Sequence, residues 1–151
     1  MSLTAGISAP AFSLPANGGT TLSSAALKGK PYVLYFYPKA DTSGCTKEAQ
    51  AFQADLAAFR KKGAVVIGVS RDPVKALDKF AAKYGLEFPL ASDEAGALTE
   101  AYGVWVEKSM YGRKYMGIER STFLVGADGK IAKAWPKVKI EGHAAEVLAA
   151  L

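Results

Sequence analysis

A single cysteine and a single histidine stand in 151 residues, and that scarcity removes several chemistries. One cysteine cannot close an internal disulfide, so no bridge holds the fold, and a reducing compartment is the expected home. The one histidine, His143, has no Cys/His cluster to join; it reads as decoration at the start of the last helix in a solvent-facing C-terminal stretch, and no metal site is expected. No apolar run approaches the roughly 20 residues of a membrane span. The opening Met1-Ser2-Leu3-Thr4-Ala5-Gly6 lacks the basic and apolar regions of a secretory leader. A cytoplasmic location away from membranes is expected. Phosphate-cradling glycine loops and a Rossmann fingerprint are missing, so no cofactor is implied. The net charge of +5 comes without a nucleic-acid-binding signature. Arg60, Lys61 and Lys62 fall at a helix end, where cations complement the dipole, and the other lysines are scattered among acids.

What is present is half hydrophobic and 22% charged, a balance that argues for a globular chain. A chain of this length can bury about 70% of its unfolded surface, so residues 1–151 are expected to form one domain. The run Tyr32-Val33-Leu34-Tyr35-Phe36-Tyr37 is β-branched and aromatic without polar alternation, which predicts a strand covered on both faces. Beyond it Ala49, Phe52, Leu56 and Phe59 recur at spacings of three and four, predicting a helix over 44–62 with Thr42 or Ser43 as N-cap. Between them lies Pro38-Lys39-Ala40-Asp41-Thr42-Ser43-Gly44-Cys45. The lone cysteine is thus expected in a first helical turn, where unpaired N–H groups and the positive end of the dipole favour a thiolate. A lone cysteine is otherwise most often an inert buried hydrophobe.

The remaining chain reads as alternating elements. Short extended segments at 12–14 and 20–22 flank Asn17-Gly18-Gly19, an N-terminal hairpin covering an edge of the sheet. Gly63 ends the cysteine helix, and residues 64–70 form a second buried parallel strand, completing a right-handed βαβ unit. Asp72 caps and Pro73 opens a helix with Val74, Leu77, Phe80, Ala81 and Tyr84 on one face, stopped by Gly85. Phe88-Pro89-Leu90-Ala91 is an edge-like strand. Ser92 or Asp93 starts a helix of about two turns through Tyr102, and 104–120 reads as a loop across the site. Strands at 121–125 and 131–135 flank an Asp-Gly turn, and a last helix carries Ala144, Val147, Leu148 and Leu151. This order is that of a thioredoxin-like α/β fold, a central mixed sheet flanked by helices with an N-terminal β-hairpin extension.

Pro38, Thr42 and Cys45 stand in the register of the peroxiredoxin signature: proline, three residues, threonine, two residues, cysteine. Tyr102-Gly103-Val104-Trp105, Met110-Tyr111-Gly112, the stretch from Tyr115 to Leu124, Lys137-Val138-Lys139 and Gly142-His143 are similar to family sequence at the same places. The chain resembles the peroxiredoxins, within them the peroxiredoxin Q or bacterioferritin comigratory protein group, from about Ile7 to Leu151. The resemblance implies a thiol peroxidase acting on hydrogen peroxide and organic hydroperoxides in antioxidant defence. Cys45 would attack and become a sulfenic acid. The Thr42 hydroxyl and the backbone N–H groups of Gly44 and Cys45 would hold the peroxide oxygens, and Pro38 would shield the pocket from water. Arg120 matches the family arginine that pairs with thiolate and substrate; without the match it reads as a solvated strand-end charge. Glu48 is similar to a glutamate of the surrounding hydrogen-bond network, or else an exposed helix carboxylate.

Two positions depart from the pattern. Ser43 replaces a proline common among relatives and is expected to cost little. Relatives often carry a resolving cysteine five residues after the reactive one or in the next helix, positions held here by Gln50 and Ala81. The sulfenic acid would then need an external thiol such as thioredoxin, glutaredoxin or a small thiol, and overoxidation to sulfinic acid is expected. Whether the missing thiol is natural or engineered stays open, as do the reductant, the preferred peroxide and the quaternary state; the group resembled implies a monomer. The alternative is a non-catalytic thioredoxin-like redox sensor or interaction domain. A thioredoxin-type oxidoreductase would need Cys-x-x-Cys, and position 42 is Thr.

Overall fold

The structure is a computed structural model and describes residues 2–151. Seven strands form one mixed sheet in the order β2-β1-β5-β4-β3-β8-β9, where β1 is Ser13–Ala16, β2 Thr20–Ser23, β3 Tyr32–Phe36, β4 Val65–Ser70, β5 Leu90–Ser92, β8 Ser121–Val125 and β9 Ile131–Trp135. Strands β3, β4 and β5 run parallel, while β8 lies antiparallel against β3 and β9 against β8. Helices α1 (Ser43–Ala54), α2 (Leu56–Lys61), α3 (Val74–Tyr84) and α4 (Ala97–Ala101) lie in the connections between strands, and α5 (His143–Ala149) follows the last strand. This is the expected thioredoxin-like α/β architecture, and the N-terminal hairpin extends the sheet through the single pair Ala16 and Ala91.

Strand β3 shows why the uninterrupted apolar run was legible. All five of its residues are buried. Val33 and Tyr35 point into a core shared with Phe52, Phe59, Leu77 and Phe80 from α1, α2 and α3. Tyr32, Leu34 and Phe36 point into a second core with Phe123, Leu98 and Tyr102. A strand loaded on both faces has no solvent side to carry polar residues. Gly68 in β4 leaves room for the Tyr35 ring: a Cβ there would lie 2.8 Å from the Tyr35 hydroxyl.

Several boundaries differ from expectation. The helix over 44–62 is two helices broken at Asp55, because the apolar stripe continues although the backbone at Asp55 leaves the helical region. Pro73, not Asp72, holds the N-cap position of α3; the Asp72 carboxylate instead accepts from Ala40 N at 2.8 Å and from the Ser70 hydroxyl. Strand β5 is interior, between β1 and β4, and Pro89 precedes it. The two-turn helix from Ser92 or Asp93 shortens to Ala97–Ala101, with the Asp93 carboxylate accepting from Leu98 N and Thr99 N.

The largest correction concerns 104–120. It is not a loop but an antiparallel hairpin, β6 (Trp105–Met110) and β7 (Arg113–Ile118), forming a two-stranded sheet of its own. Its two-residue turn, Tyr111-Gly112, has positive φ at both positions, 51° and 78°, as a type I′ turn requires. Only its base is tied down: Ile118 is buried, and the Arg71 guanidinium lies 3.4 Å over the Trp105 ring.

Candidate active site

The site forms where β3 ends. The chain leaves the sheet at Tyr37 and turns through 38–42 before entering α1, at the carboxyl end of the parallel strands where open α/β sheets place ligands. The turn is fastened from two sides. Asp72 holds Ala40 N from behind. Asp41 adopts a left-handed φ of 60°, and its carboxylate accepts from Lys83 Nζ at 3.0 Å and from the Tyr84 hydroxyl. Those bonds, Tyr84 foremost, lower the Asp41 pKa.

Cys45 is the third residue of α1 and is 1% exposed. Arg120, the residue just before β8, places Nη2 3.3 Å from Cys45 Sγ and Nη1 2.7 Å from Glu48 Oε1. One guanidinium therefore bridges two residues separated by a single turn of α1, the fork geometry that a lysine cannot supply. Gly44 makes the approach feasible: a Cβ there would lie 3.3 Å from Arg120 Nη2 and from Ile140 Cδ1. Arg120 is no solvated strand-end charge, its side chain being 17% exposed, and Glu48 is no exposed helix carboxylate, being 2% exposed at the side chain.

Burial pushes the Glu48 carboxyl up to about 7, although Arg120 pulls the other way. Glu48 Oε2 is buried with no partner, which explains why one guanidinium contact leaves burial dominant. Burial alone would lower the Arg120 pKa, but Glu48 and Cys45 more than offset it. Tyr35 lies behind the site with a buried hydroxyl; burial, then Tyr37, Glu48 and Cys45, raise its pKa well above the usual value, so it stays protonated.

Thr42 is the N-cap residue of α1, but its hydroxyl donates to Lys39 O at 2.8 Å and does not cap the helix. Thr42 and Pro38 are both exposed beside the buried cysteine. The backbone N–H groups of Gly44 and Cys45 belong to the unpaired first turn of α1. Gln50 is exposed and Ala81 is buried in α3. His143 is corrected from solvent-facing to 4% exposed. Its Nδ1 donates to Glu146, its Nε2 accepts from the Thr122 hydroxyl at 2.8 Å, and its ring packs edge-on against Phe52 and Trp135. Burial lowers its pKa, so it acts as a neutral strut between α5 and β8. No group of three or more metal-ligating side chains exists among the described residues.

Residues 5–134 match the model of the AhpC/TSA family. The chain belongs to the AhpC/TSA family. Over its full length it is 51% identical to a putative peroxiredoxin bcp of Coxiella burnetii, all of which is covered. Peroxiredoxin Bcp of Xanthomonas campestris is 52% identical over 145 residues, 95% of this chain and 91% of the relative. A solved structure of the X. campestris bacterioferritin comigratory protein, from work on its alkyl peroxide reduction activity, superposes with a TM-score of 0.91 at 49% identity, covering 97% of this chain and 96% of that one. Peroxiredoxins are thiol peroxidases, and this one has a single thiol with which to react. It is an antioxidant thiol-dependent peroxidase that takes a peroxide as substrate and a thiol as reductant.

Three contributors gave no sequence signal: Asp72 and Asp41, whose partners are 32 and 42 residues away, and the unpartnered Glu48 Oε2. The Tyr-Gly pair at 111–112 was a signal for the hairpin, in the place where Asn-Gly is more usual.

Proposed function

We propose that Cys45 is the peroxidatic residue of a one-cysteine cycle carried by residues 1–151 as one domain. The observation that carries this is the Arg120 bridge, 3.3 Å to Sγ and 2.7 Å to Glu48. The Cys45 thiolate attacks the near oxygen of the peroxide, the O–O bond breaks, and the departing alkoxide or hydroxide takes up a proton; Cys45 is oxidised to sulfenic acid and the peroxide is reduced to an alcohol or water. Arg120 steadies the sulfur in the ground state and the charge spreading onto oxygen as the bond breaks. Gly44 N–H and Cys45 N–H donate to the peroxide from the first turn of α1, and Thr42 exchanges its bond to Lys39 O for one to substrate. Pro38 narrows the entrance. Glu48 holds the guanidinium in plane.

Pro38 and Thr42 are exposed, and the alkyl peroxide reduction ascribed to the X. campestris protein supports a substrate range that includes organic hydroperoxides. With Gln50 and Ala81 where relatives place a second thiol, the sulfenic acid is reduced by an external thiol, thioredoxin or glutaredoxin before small thiols. Because Cys45 is 1% exposed, a protein thiol reaches its sulfur when the first turn of α1 opens. Among the described residues no helix is long and apolar enough to cross a membrane; a monomer in the cytoplasm completes the reading. A coupled assay with thioredoxin, glutaredoxin and glutathione as alternative donors tests it. Turnover with a protein dithiol is expected, and an unreduced sulfenic acid in all three would overturn it.

A further inference from the structure

The exposed large hydrophobic side chains concentrate on one element. Met110 is 55% exposed, Tyr111 98%, Tyr115 44% and Met116 50%, and all four belong to the β6–β7 hairpin or its turn. Cations are interleaved with them: Lys108 is paired directly with Tyr115, and Arg113 with Met110. Lys114 lies on the opposite face beside Glu107, the only acid of the ribbon. Lys108, Met110, Arg113 and Tyr115 share one face of the ribbon by strand alternation. The Lys108 end of that face adjoins the site. Lys108 Nζ donates to Ile118 O, two residues before the arginine that touches Cys45. Burial and then Arg120 lower the Lys108 pKa, whereas Glu119 and Cys45 raise it.

We propose that this hairpin is the docking arm for the reductant, a protein dithiol whose reactive face is apolar with an acidic rim. The inference rests on the thiol-peroxidase reading of Cys45. Two electrons must come from outside this chain, since it has one thiol. The partner thiolate attacks the sulfenic sulfur, a mixed disulfide forms and water leaves. The partner's second thiol then attacks its own bridged sulfur, releasing Cys45 reduced and the partner as its disulfide. Such a partner must dwell beside Arg120 for two exchanges and then leave. Met116 lies on the opposite face; Met110 and Tyr115 on the face with Lys108, with Tyr111 at the turn, amount to roughly 400 Å², scaled from full aromatic areas. That is too little for an obligate dimer and of the size that transient redox encounters use. The cations supply orientation and speed of encounter with an acidic partner.

Two variants in the full chain test the arm: Arg113→Glu, and Met110→Ser with Tyr111→Asn, the latter keeping a residue that tolerates positive φ. Four readouts separate the outcomes: stopped-flow oxidation of Cys45 by hydrogen peroxide, turnover with dithiothreitol, turnover with thioredoxin and glutaredoxin couples, and mass in solution. Both variants are expected to raise the KM for the protein dithiol at least about tenfold. Peroxide oxidation and dithiothreitol turnover should stay within about twofold of wild type; added salt should weaken coupling to the protein dithiol in the wild type and in the Met110/Tyr111 variant, but not in the charge-reversed one. An unchanged KM, an equal loss with dithiothreitol, or turnover with dithiothreitol but with neither protein couple would overturn the arm and leave the peroxidase reading intact. So would loss of a wild-type dimer in the variants, or loss of binding to phosphatidylglycerol vesicles with KM unchanged. Slow oxidation of wild-type Cys45 would instead remove the peroxidase reading itself.

Discussion

Residues 38–48 and the hairpin of β6 and β7 are both rich in polar groups, yet they are held in opposite ways. In the first, Asp72 grips Ala40, Asp41 is bound by Lys83 and Tyr84, and Glu48 is locked to Arg120. In the second, the charged pair Lys114 and Glu107 is 3.7 Å apart with both side chains mostly exposed, a contact worth little. Fixed geometry is concentrated where a sulfur must be aligned with a breaking bond. Freedom is left where contact with a partner is made and broken.

Substitutions that exchange these properties should have graded effects. Arg120→Met removes the donor to Sγ while keeping bulk, and should lower the rate constant for Cys45 oxidation about 100- to 1,000-fold; a loss under tenfold by stopped flow would mean the guanidinium is structural. Glu48 comes next. Its folded pKa of about 7 lies above the ordinary 4.5, so the stability it contributes is full below pH 4.5 and is lost as pH rises through 7, about 3 kcal/mol in all. Glu48→Gln stays neutral throughout, so denaturant unfolding should show the variant gaining on wild type by that amount between pH 4.5 and 8. Parallel stability curves would contradict the buried, half-partnered carboxylate.

A smaller effect is expected at Gly44→Ala, where a methyl 3.3 Å from Arg120 Nη2 should displace the guanidinium and cost about tenfold in oxidation rate with little change in Tm. The smallest belongs to the hairpin: Tyr111→Asn should shift unfolding stability by less than about 0.5 kcal/mol and leave oxidation by peroxide unchanged. A large loss there would show that the arm supports the site after all.

The difference between the two regions also decided how much of each was legible. Strand β3 and the stripe of α1 are buried on fixed faces, so their apolar periodicity recorded the fold, and Cys45 at the helix start could be read directly. Arg120 and Glu48 were reached through family resemblance, because contacts spanning 72 and 75 residues leave no local pattern. The sequence of the hairpin reads as a loop because most of its side chains face solvent and no buried face imposes alternation. The burial of His143 is not legible because its neutral imidazole is held by Thr122, 21 residues away on another element, which no spacing links to it.

The most direct test is the second-order rate constant for oxidation of Cys45 by hydrogen peroxide, followed by stopped flow beside free cysteine at the same pH. A sulfur held between the first turn of α1 and Arg120 should react at least about a thousandfold faster than the free thiol. A rate within about tenfold of free cysteine would contradict the claim that this chain aligns and activates the sulfur for attack on peroxide.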